Sequence, residues 1–213
     1  SLASRPGNFG TRFHNYLYEK LGLNYIYKAF TTQDIAAAVQ GVRALGIRGC
    51  AISMPFKEGC MPFLDAIDPA AKVIDSVNTI VNDSGRLTGL NTDYIAVKSL
   101  IDSHSLARTA KVMIQGSGGM AKAVIAAFRD AGFRDVIIAA RNRDSGRALA
   151  KQYGFQWQPQ PEGIAAAILV NVTPLGMAGG EYAETLAFSQ AMVEGADVVF
   201  DVVALPPETP LIR

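Results

Sequence analysis

Gly116, Gly118 and Gly119 stand together after a short apolar run, Val112-Met113-Ile114, and before an alanine-rich stretch with Met120, Val124, Ile125, Phe128 and Ala131 at helical spacing. The order reads as strand, tight glycine turn, helix. Glycines let the backbone turn sharply and approach a pyrophosphate, and a helix N-terminus offers that group unpaired N–H donors and a partial positive charge. The pattern GxGGxxxA is a variant of the dinucleotide fingerprint, and the same turn can equally serve tight packing alone. A second strand over residues 136–140 completes a βαβ unit and favours the nucleotide reading. In such a unit the residue closing the second strand meets the adenosine ribose; an acid there suits NAD, and an Arg suits the 2′-phosphate of NADP. Here stand Arg141, Asn142 and Arg143, with Asp144 beside them. Guanidinium groups bind phosphate bidentately, so NADP is the expected cofactor.

A second constellation lies in the first half: Ser53-Met54-Pro55-Phe56-Lys57, Ser76-Val77-Asn78-Thr79 and Asn91-Thr92-Asp93. Taken singly, Lys57 reads as a solvated lysine, Asn78 as a turn former and Asp93 as a helix N-cap. As a set they offer a cation, a carboxylate, amides and hydroxyls suited to a polar, hydroxylated ligand. His14 and His104 have no second ligand or serine nucleophile at useful spacing, so no metal and no triad is expected. The aromatic stripe Tyr16, Tyr18, Tyr25, Tyr27 and Phe30 reads as core rather than as a stacking platform for bases.

Regular βα alternation must position the glycine turn. Strands are expected at 112–115, 136–140, 168–172 and 198–203, with helices near 120–131, 144–153 and 183–193, which makes a doubly wound, mostly parallel sheet. The first half mixes elements. Helices are expected at 9–21 and 34–45, short ones at 63–67 and 70–74, and one from Tyr94 to about Ser103. Strands are expected at 24–30 and 47–53, with a hairpin of 77–82 and 86–90 across Asp83-Ser84-Gly85. The fold class is therefore α/β: residues 1–103 as a substrate-binding and catalytic α/β domain, and residues 104–213 as a Rossmann-type nucleotide domain, with a crevice between them.

Composition bounds the partners. Apolar residues make up 49% of the 213, charged residues only 18%, and the net charge is +1. That balance supports a buried core and gives no general attraction to nucleic acid or to a membrane surface, which leaves a small molecule as partner. Cys50 and Cys60 are too few for a disulfide framework and read as small apolar side chains in a reducing, cytoplasmic setting. No apolar run approaches the ~18 residues of a membrane span. The chain starts without Met and stops on an apolar run, and both ends look trimmed.

The motifs SMPFKE at 53–58, SVNTIVN at 76–82, GLNTD at 89–93, GSGGMAKA at 116–123, NVTPLGM at 171–177 and DVVALPPETPLI at 201–212 resemble, in order and spacing, those of the shikimate dehydrogenases. The stretch SRPGNFGTRFHNYLYEKLGLNYIYKAF is similar to the shikimate dehydrogenase-like branch of paralogues. The resemblance implies Lys57 and Asp93 as the catalytic pair beside the hydroxyl that is oxidised. It implies Ser1, Ser53, Asn78 and Thr92 as substrate-binding, and Gly116, Gly118, Gly119, Met120, Ala121, Arg141, Asn142, Arg143 and Thr173 as cofactor-binding. The implied substrate is a cyclic hydroxy-carboxylate of the chorismate pathway to the aromatic amino acids, taken by a monomer or homodimer. Quinate or aminoshikimate as substrate, or a non-catalytic NADP-binding regulator, are the alternatives. Ala3 stands where a second binding serine is expected and Ala204 where a substrate-contacting Tyr is expected. The family's C-terminal segment, which returns to the first domain, has no counterpart in the sequence.

Overall fold

The computed structural model describes residues 1–213, which divide into two compact units, Ser1–Thr92 and Asp93–Arg213. The first unit opens with β1 (Leu2–Ala3), α1 (Phe9–Lys20), β2 (Phe30–Thr31) and α2 (Ile35–Ala44). It continues through β3 (Gly49–Ala51), β4 (Ala66–Ile67), α3 (Pro69–Ile74), β5 (Thr79–Asp83) and β6 (Arg86–Leu90). β1 and β2 pair in parallel, and the other four strands form a mixed sheet in the order β3-β5-β6-β4. Along the β5–β6 hairpin Ile80, Asn82, Leu87 and Gly89 face inward, the period of two that one buried sheet face demands. The turn is carried by Ser84 and Gly85, both at positive φ (53° and 92°), whose twist matches that of the strands it joins. Leu2, Val39, Val42, Ile52, Val77, Ile80 and Leu87 form the core.

The second unit takes in α4 (Thr92–Ser103) from Asp93 onward, then β7 (Val112–Gln115), α5 (Gly119–Asp130), β8 (Val136–Ala139), α6 (Arg143–Tyr153), β9 (Gln156–Gln158), β10 (Ile168–Asn171), α7 (Gln190–Glu194) and β11 (Val198–Asp201). Its five strands are all parallel, in the order β11-β10-β7-β8-β9. Residues of β7, β8 and β10 are buried almost throughout, as strands covered on both faces must be. This is the expected α/β architecture, an N-terminal α/β unit followed by a Rossmann-type doubly wound sheet. The strand order reverses between β7 and β10, where such sheets bind ligands.

Several elements depart from the sequence expectation. The two units meet in the chain at Thr92 and Asp93, and α4 goes with the second, where the Tyr94 hydroxyl donates to Asp130 on α5 at 2.9 Å. Residues 24–29 form no strand; the Asn15 side chain instead takes Tyr27 N–H (2.7 Å) and donates to Tyr27 C=O (2.9 Å), satisfying the groups a ladder would have used. The stretch 63–67 is not helical: a 3₁₀ turn at Met61–Phe63 leads into β4, which pairs with β6. The helix expected over 183–193 is confined to α7, and β9 was not anticipated. The aromatic stripe is not core: α1 buries no residue, and Tyr16, Tyr25 and Phe30 are exposed.

One ionic contact ties α2 to the hairpin. Arg43 Nη1 lies 2.8 Å from Asp65 Oδ2, which also accepts Leu87 N–H at 2.6 Å, and Arg43 donates in addition to Gly85 C=O. The hydrogen bond from Arg43, and then that from Leu87, hold the Asp65 carboxyl below the usual carboxylate range. A carboxyl whose folded pKa is depressed contributes stability above its unfolded value, about 3.9, and loses it as pH falls through the folded value. In urea unfolding, Asp65→Asn should therefore lower the midpoint at pH 7, and its gap from the parent should close as the pH drops below about 4.

Candidate active site

In the first unit the polar constellation is built on backbone hydrogen bonds. Val77 N donates to Lys57 C=O at 2.8 Å, so the 53–59 turn that carries Lys57 hangs from the residue before Asn78. Asn78 N donates to Leu90 C=O and Ile52 N donates to Asn78 C=O, which fixes Asn78 between two strand ends. Its carboxamide then closes the group. Oδ1 accepts Thr92 N–H at 2.9 Å and the Thr79 hydroxyl at 3.0 Å, while Nδ2 donates to Thr92 Oγ1 at 2.9 Å. Asn78 is buried, Thr92 is exposed and Lys57 half-buried. Beneath them the buried Asn91 donates to Ser76 C=O at 2.9 Å.

The structure thus brings the predicted substrate residues Asn78 and Thr92 into direct contact and ties the turn of the predicted catalytic Lys57 to the residue before Asn78. Ser53 is exposed, and its N–H donates to Leu2 C=O at 3.0 Å, next in the chain to Ser1. Ala3 is buried, and the adjacent Ser4 hydroxyl turns to Met54 C=O at 3.5 Å. Asp93 is the second residue of α4, within its first turn, and not the N-cap read from the sequence. There its charge complements the helix dipole. Burial pushes the Cys60 thiol up to about 11, so it stays protonated at neutral pH and serves as packing.

In the second unit the glycine turn lies between β7 and α5. Gly116 has φ +130°, and a Cβ there would meet Val172 Cγ2 at 2.8 Å and Val172 O at 2.9 Å, so only glycine fits between the two strands. At Gly118 a Cβ would meet nothing within 4 Å, and α5 begins there with no side-chain cap on its first N–H groups. Met120 and Ala121 lie in the first turn of α5, Ala121 buried. Arg141, Asn142 and Arg143 are exposed on the β8–α6 turn; Asn142 caps α6 by accepting Ser145 N–H at 3.1 Å. The Ser145 hydroxyl meets the Ser117 hydroxyl of the glycine turn at 2.8 Å. Thr173 is held two residues beyond β10, its hydroxyl 2.6 Å from Asn171 Oδ1.

Sequence reasoning missed the polar group behind Thr173. Asn171 and Thr209 are fully buried, and both donate to the carboxylate of Asp201, from Nδ2 at 3.0 Å and from Oγ1 at 2.7 Å. Asn171 at the end of an apolar run was the available signal, since a buried amide needs partners at both ends. No helix of the chain is long and apolar enough to cross a membrane.

With this geometry in hand, comparison with known proteins is specific. Residues 9–80 match the family model described as the shikimate dehydrogenase substrate binding domain, and residues 99–162 match that of shikimate / quinate 5-dehydrogenase. A shikimate dehydrogenase-like protein of Haemophilus influenzae is 62% identical over 213 residues, all of this chain and 79% of that protein. The solved structure of a shikimate 5-dehydrogenase-like protein superposes with a TM-score of 0.94 at 61% identity, covering 100% of this chain and 79% of that one. The Thermus thermophilus shikimate 5-dehydrogenase, in complex with NADP(H) and shikimate, gives a TM-score of 0.83 at 28% identity, over 100% of this chain and 80% of that one.

The carboxamide of Asn78 makes a measurable claim of its own. Removing it in Asn78→Ala leaves Thr92 N–H and two hydroxyls without their partner and should cost about 1–3 kcal/mol of stability in urea unfolding. Asn78→Asp, which keeps the acceptor oxygen, should cost less.

Proposed function

This chain belongs to the shikimate dehydrogenase family, and on that footing we propose that it is an NADP-dependent oxidoreductase interconverting shikimate, or a close cyclic analogue, and its 3-dehydro ketone. The observation that carries the proposal is the Asn78 carboxamide bridge. It binds the strand end next to the Lys57 turn to Thr92, the residue before Asp93, so the catalytic pair is delivered by segments fastened to one another.

The chain's own residues fit the cofactor. The open ground above Gly118 and the uncapped start of α5 suit a pyrophosphate, for which the first N–H groups of the helix are donors. Met120 and Ala121 form that first turn. Arg141 and Arg143, exposed on the β8–α6 turn, offer cations to a ribose 2′-phosphate, and Asn142 holds their turn in shape. Thr173, two residues beyond β10, would add a hydroxyl to the same site. Bound NADP supplies the acceptor for the hydride that leaves the carbinol carbon.

The chain handles the rest. Asn78, Thr92, Ser53 and Ser1 orient the ring through its hydroxyls and carboxylate. Lys57 brings a cation to the alkoxide as the hydroxyl loses its proton, and the Asp93 side chain accepts that proton and passes it on to solvent. Positioning and proton handling of this kind contribute about 10²–10⁴-fold. Ala3 and Ala204 stand where the resemblance expects hydroxyls, and this favours a ring substituent different from that of shikimate, so quinate and aminoshikimate belong in the same assay.

Two measurements test the reading. Reduction of NADP by shikimate, quinate and aminoshikimate should be seen for at least one substrate, and Lys57→Ala should lower kcat by about 10²–10⁴-fold while NADP affinity is kept. Turnover that survives in the mutant would remove Lys57 from the mechanism; NADP binding with no turnover on any cyclic alcohol would favour a regulatory role. Replacing Arg141 and Arg143 together by Ala should weaken NADP about tenfold or more and leave NAD nearly unaffected, since each charged hydrogen bond is worth about 1.5–3 kcal/mol. Equal losses for both nucleotides would place the 2′-phosphate elsewhere.

A further inference from the structure

We infer that Asp130 is a positioning residue for Asp93: through the Tyr94 hydroxyl it fixes the first turn of α4, and with it the carboxylate next in the chain. The inference rests on the reading above, in which Asp93 accepts the substrate's proton, and adds the residues that aim it.

Asp93 stands at the junction of the two units. Thr92 before it belongs to the first, where Asn78 Oδ1 takes its N–H and Nδ2 meets its hydroxyl, both at 2.9 Å. Tyr94 after it belongs to the second, where its hydroxyl donates to Asp130 Oδ2 at 2.9 Å. Asp93 thus has a side-chain anchor on each flank. The Tyr94 anchor is the one within its own unit.

Helix geometry sets what that anchor controls. Val97 and Ile101 are the buried residues of α4, and Tyr94 stands three and seven positions before them, at the head of the same stripe. Asp93 is one residue back, about 100° around the helix axis. Burial of Val97 and Ile101 holds the second and third turns. The first turn has no intrahelical partner for its N–H groups, and helices fray at such ends. A fixed hydroxyl at Tyr94 therefore sets the rotation of the turn from which the Asp93 side chain departs.

Asp130, the last residue of α5, is itself a fixed acceptor. Its Oδ1 takes Arg129 Nε–H at 2.7 Å, and the Arg129 guanidinium lies 5.0 Å from the ring of Tyr153, a buried residue of α6. Burial pushes the Asp130 carboxyl up, but the hydrogen bonds from Arg129 and Tyr94 outweigh it and hold the group below the usual carboxylate range. An ionised carboxylate only accepts, so the phenol must donate and the bond has one polarity. In the cofactor reading the first N–H groups of this same α5 serve the pyrophosphate, so Asp93 is referenced to the helix that carries the cofactor.

The test is steady-state kinetics of the full chain with NADP and shikimate, quinate or aminoshikimate, whichever the parent turns over, with amide hydrogen exchange alongside. Misplacing a reacting group by about 1 Å costs up to about 10²-fold in rate. Tyr94→Phe should lower kcat about tenfold and leave KM for the alcohol and Kd for NADP within about twofold. It should also speed exchange over residues 93–96. Asp130→Ala should do the same, and the two together no more than either alone. Asp130→Asn, which keeps an oxygen for the phenol, should recover most of the loss. Asp102→Asn, which breaks the ion pairs with Lys98 and Arg108 at the far end of α4, should leave kcat unchanged. An unchanged kcat in Tyr94→Phe, additive losses in the double variant, or an equal loss in Asp102→Asn overturns the inference. If Asp93→Asn still collapses turnover in that case, the catalytic reading stands without it. A parent that turns over none of the three alcohols overturns both.

Discussion

A carboxamide buried at the end of a strand is the interaction on which both units depend. A carboxamide donates and accepts at once, so one Asn can satisfy an N–H on one segment and a C=O or hydroxyl on another. Asn78 does this between Thr79 and Thr92, Asn82 between Gly85 N–H and Val42 C=O, and Asn171 between Thr173 and the Leu175–Asp201 pair. Each of the three is buried, where an unpaired amide is costly and a paired one admits a single arrangement. The chain leaves its strand ends at or beside these points. Their positions are therefore set by hydrogen-bond satisfaction and do not rely on apolar packing, which has little direction.

The same division explains what could be read from the sequence. β7, α5 and β8 were legible because fully buried parallel strands are continuous apolar runs and a glycine turn has few other uses. The α2 span was legible from its apolar spacing and from Gly46, and Asp34, read as its first residue, is its cap, accepting Ala37 N–H at 2.9 Å. What failed was edge structure. β9 is Gln-Trp-Gln, with no apolar alternation to announce it, and it exists because β8 offers it a ladder. The aromatic stretch 24–30 has strong β propensity, yet its backbone is claimed by the Asn15 side chain from α1. Propensity describes what a segment would favour alone; a partner remote in the chain decided otherwise.

Site residues show a comparable split. Lys57, Asn78 and Asp93 were singled out as a set by type and by family motif, while nothing local to any one of them marks it. The Asp201–Asn171–Thr209 group was invisible because its members are spread over 39 positions of the chain, Asn171 to Thr209, and meet only when β10 and β11 pair in register, Asn171 opposite Asp201. Short-range patterning cannot report a contact that topology creates. Asn142 shows the converse: read as a cofactor residue, it also has a local duty as the cap of α6, and the two duties are compatible because its exposed position leaves its amide nitrogen outside the cap.

The two sides of the proposed dinucleotide site are built by different physics. At the adenosine side the functional groups are exposed cations, and what the fold supplies is a stiff base for their turn. Trp157 donates from Nε1 to Ala140 C=O at 3.2 Å, lies too close over Gly146 for any side chain there, and is covered by the Arg147 guanidinium 4.8 Å from its ring. A charged phosphate needs strong, water-tolerant attraction, and long side chains on a stiff turn provide it. At the β10 side stands a neutral hydroxyl, that of Thr173, held 2.6 Å from Asn171 Oδ1. A buried amide backed by a carboxylate holds its direction. Exposed cations and a buried, hydrogen-bonded polar group thus stand on opposite halves of one sheet, divided at the point where its strand order reverses.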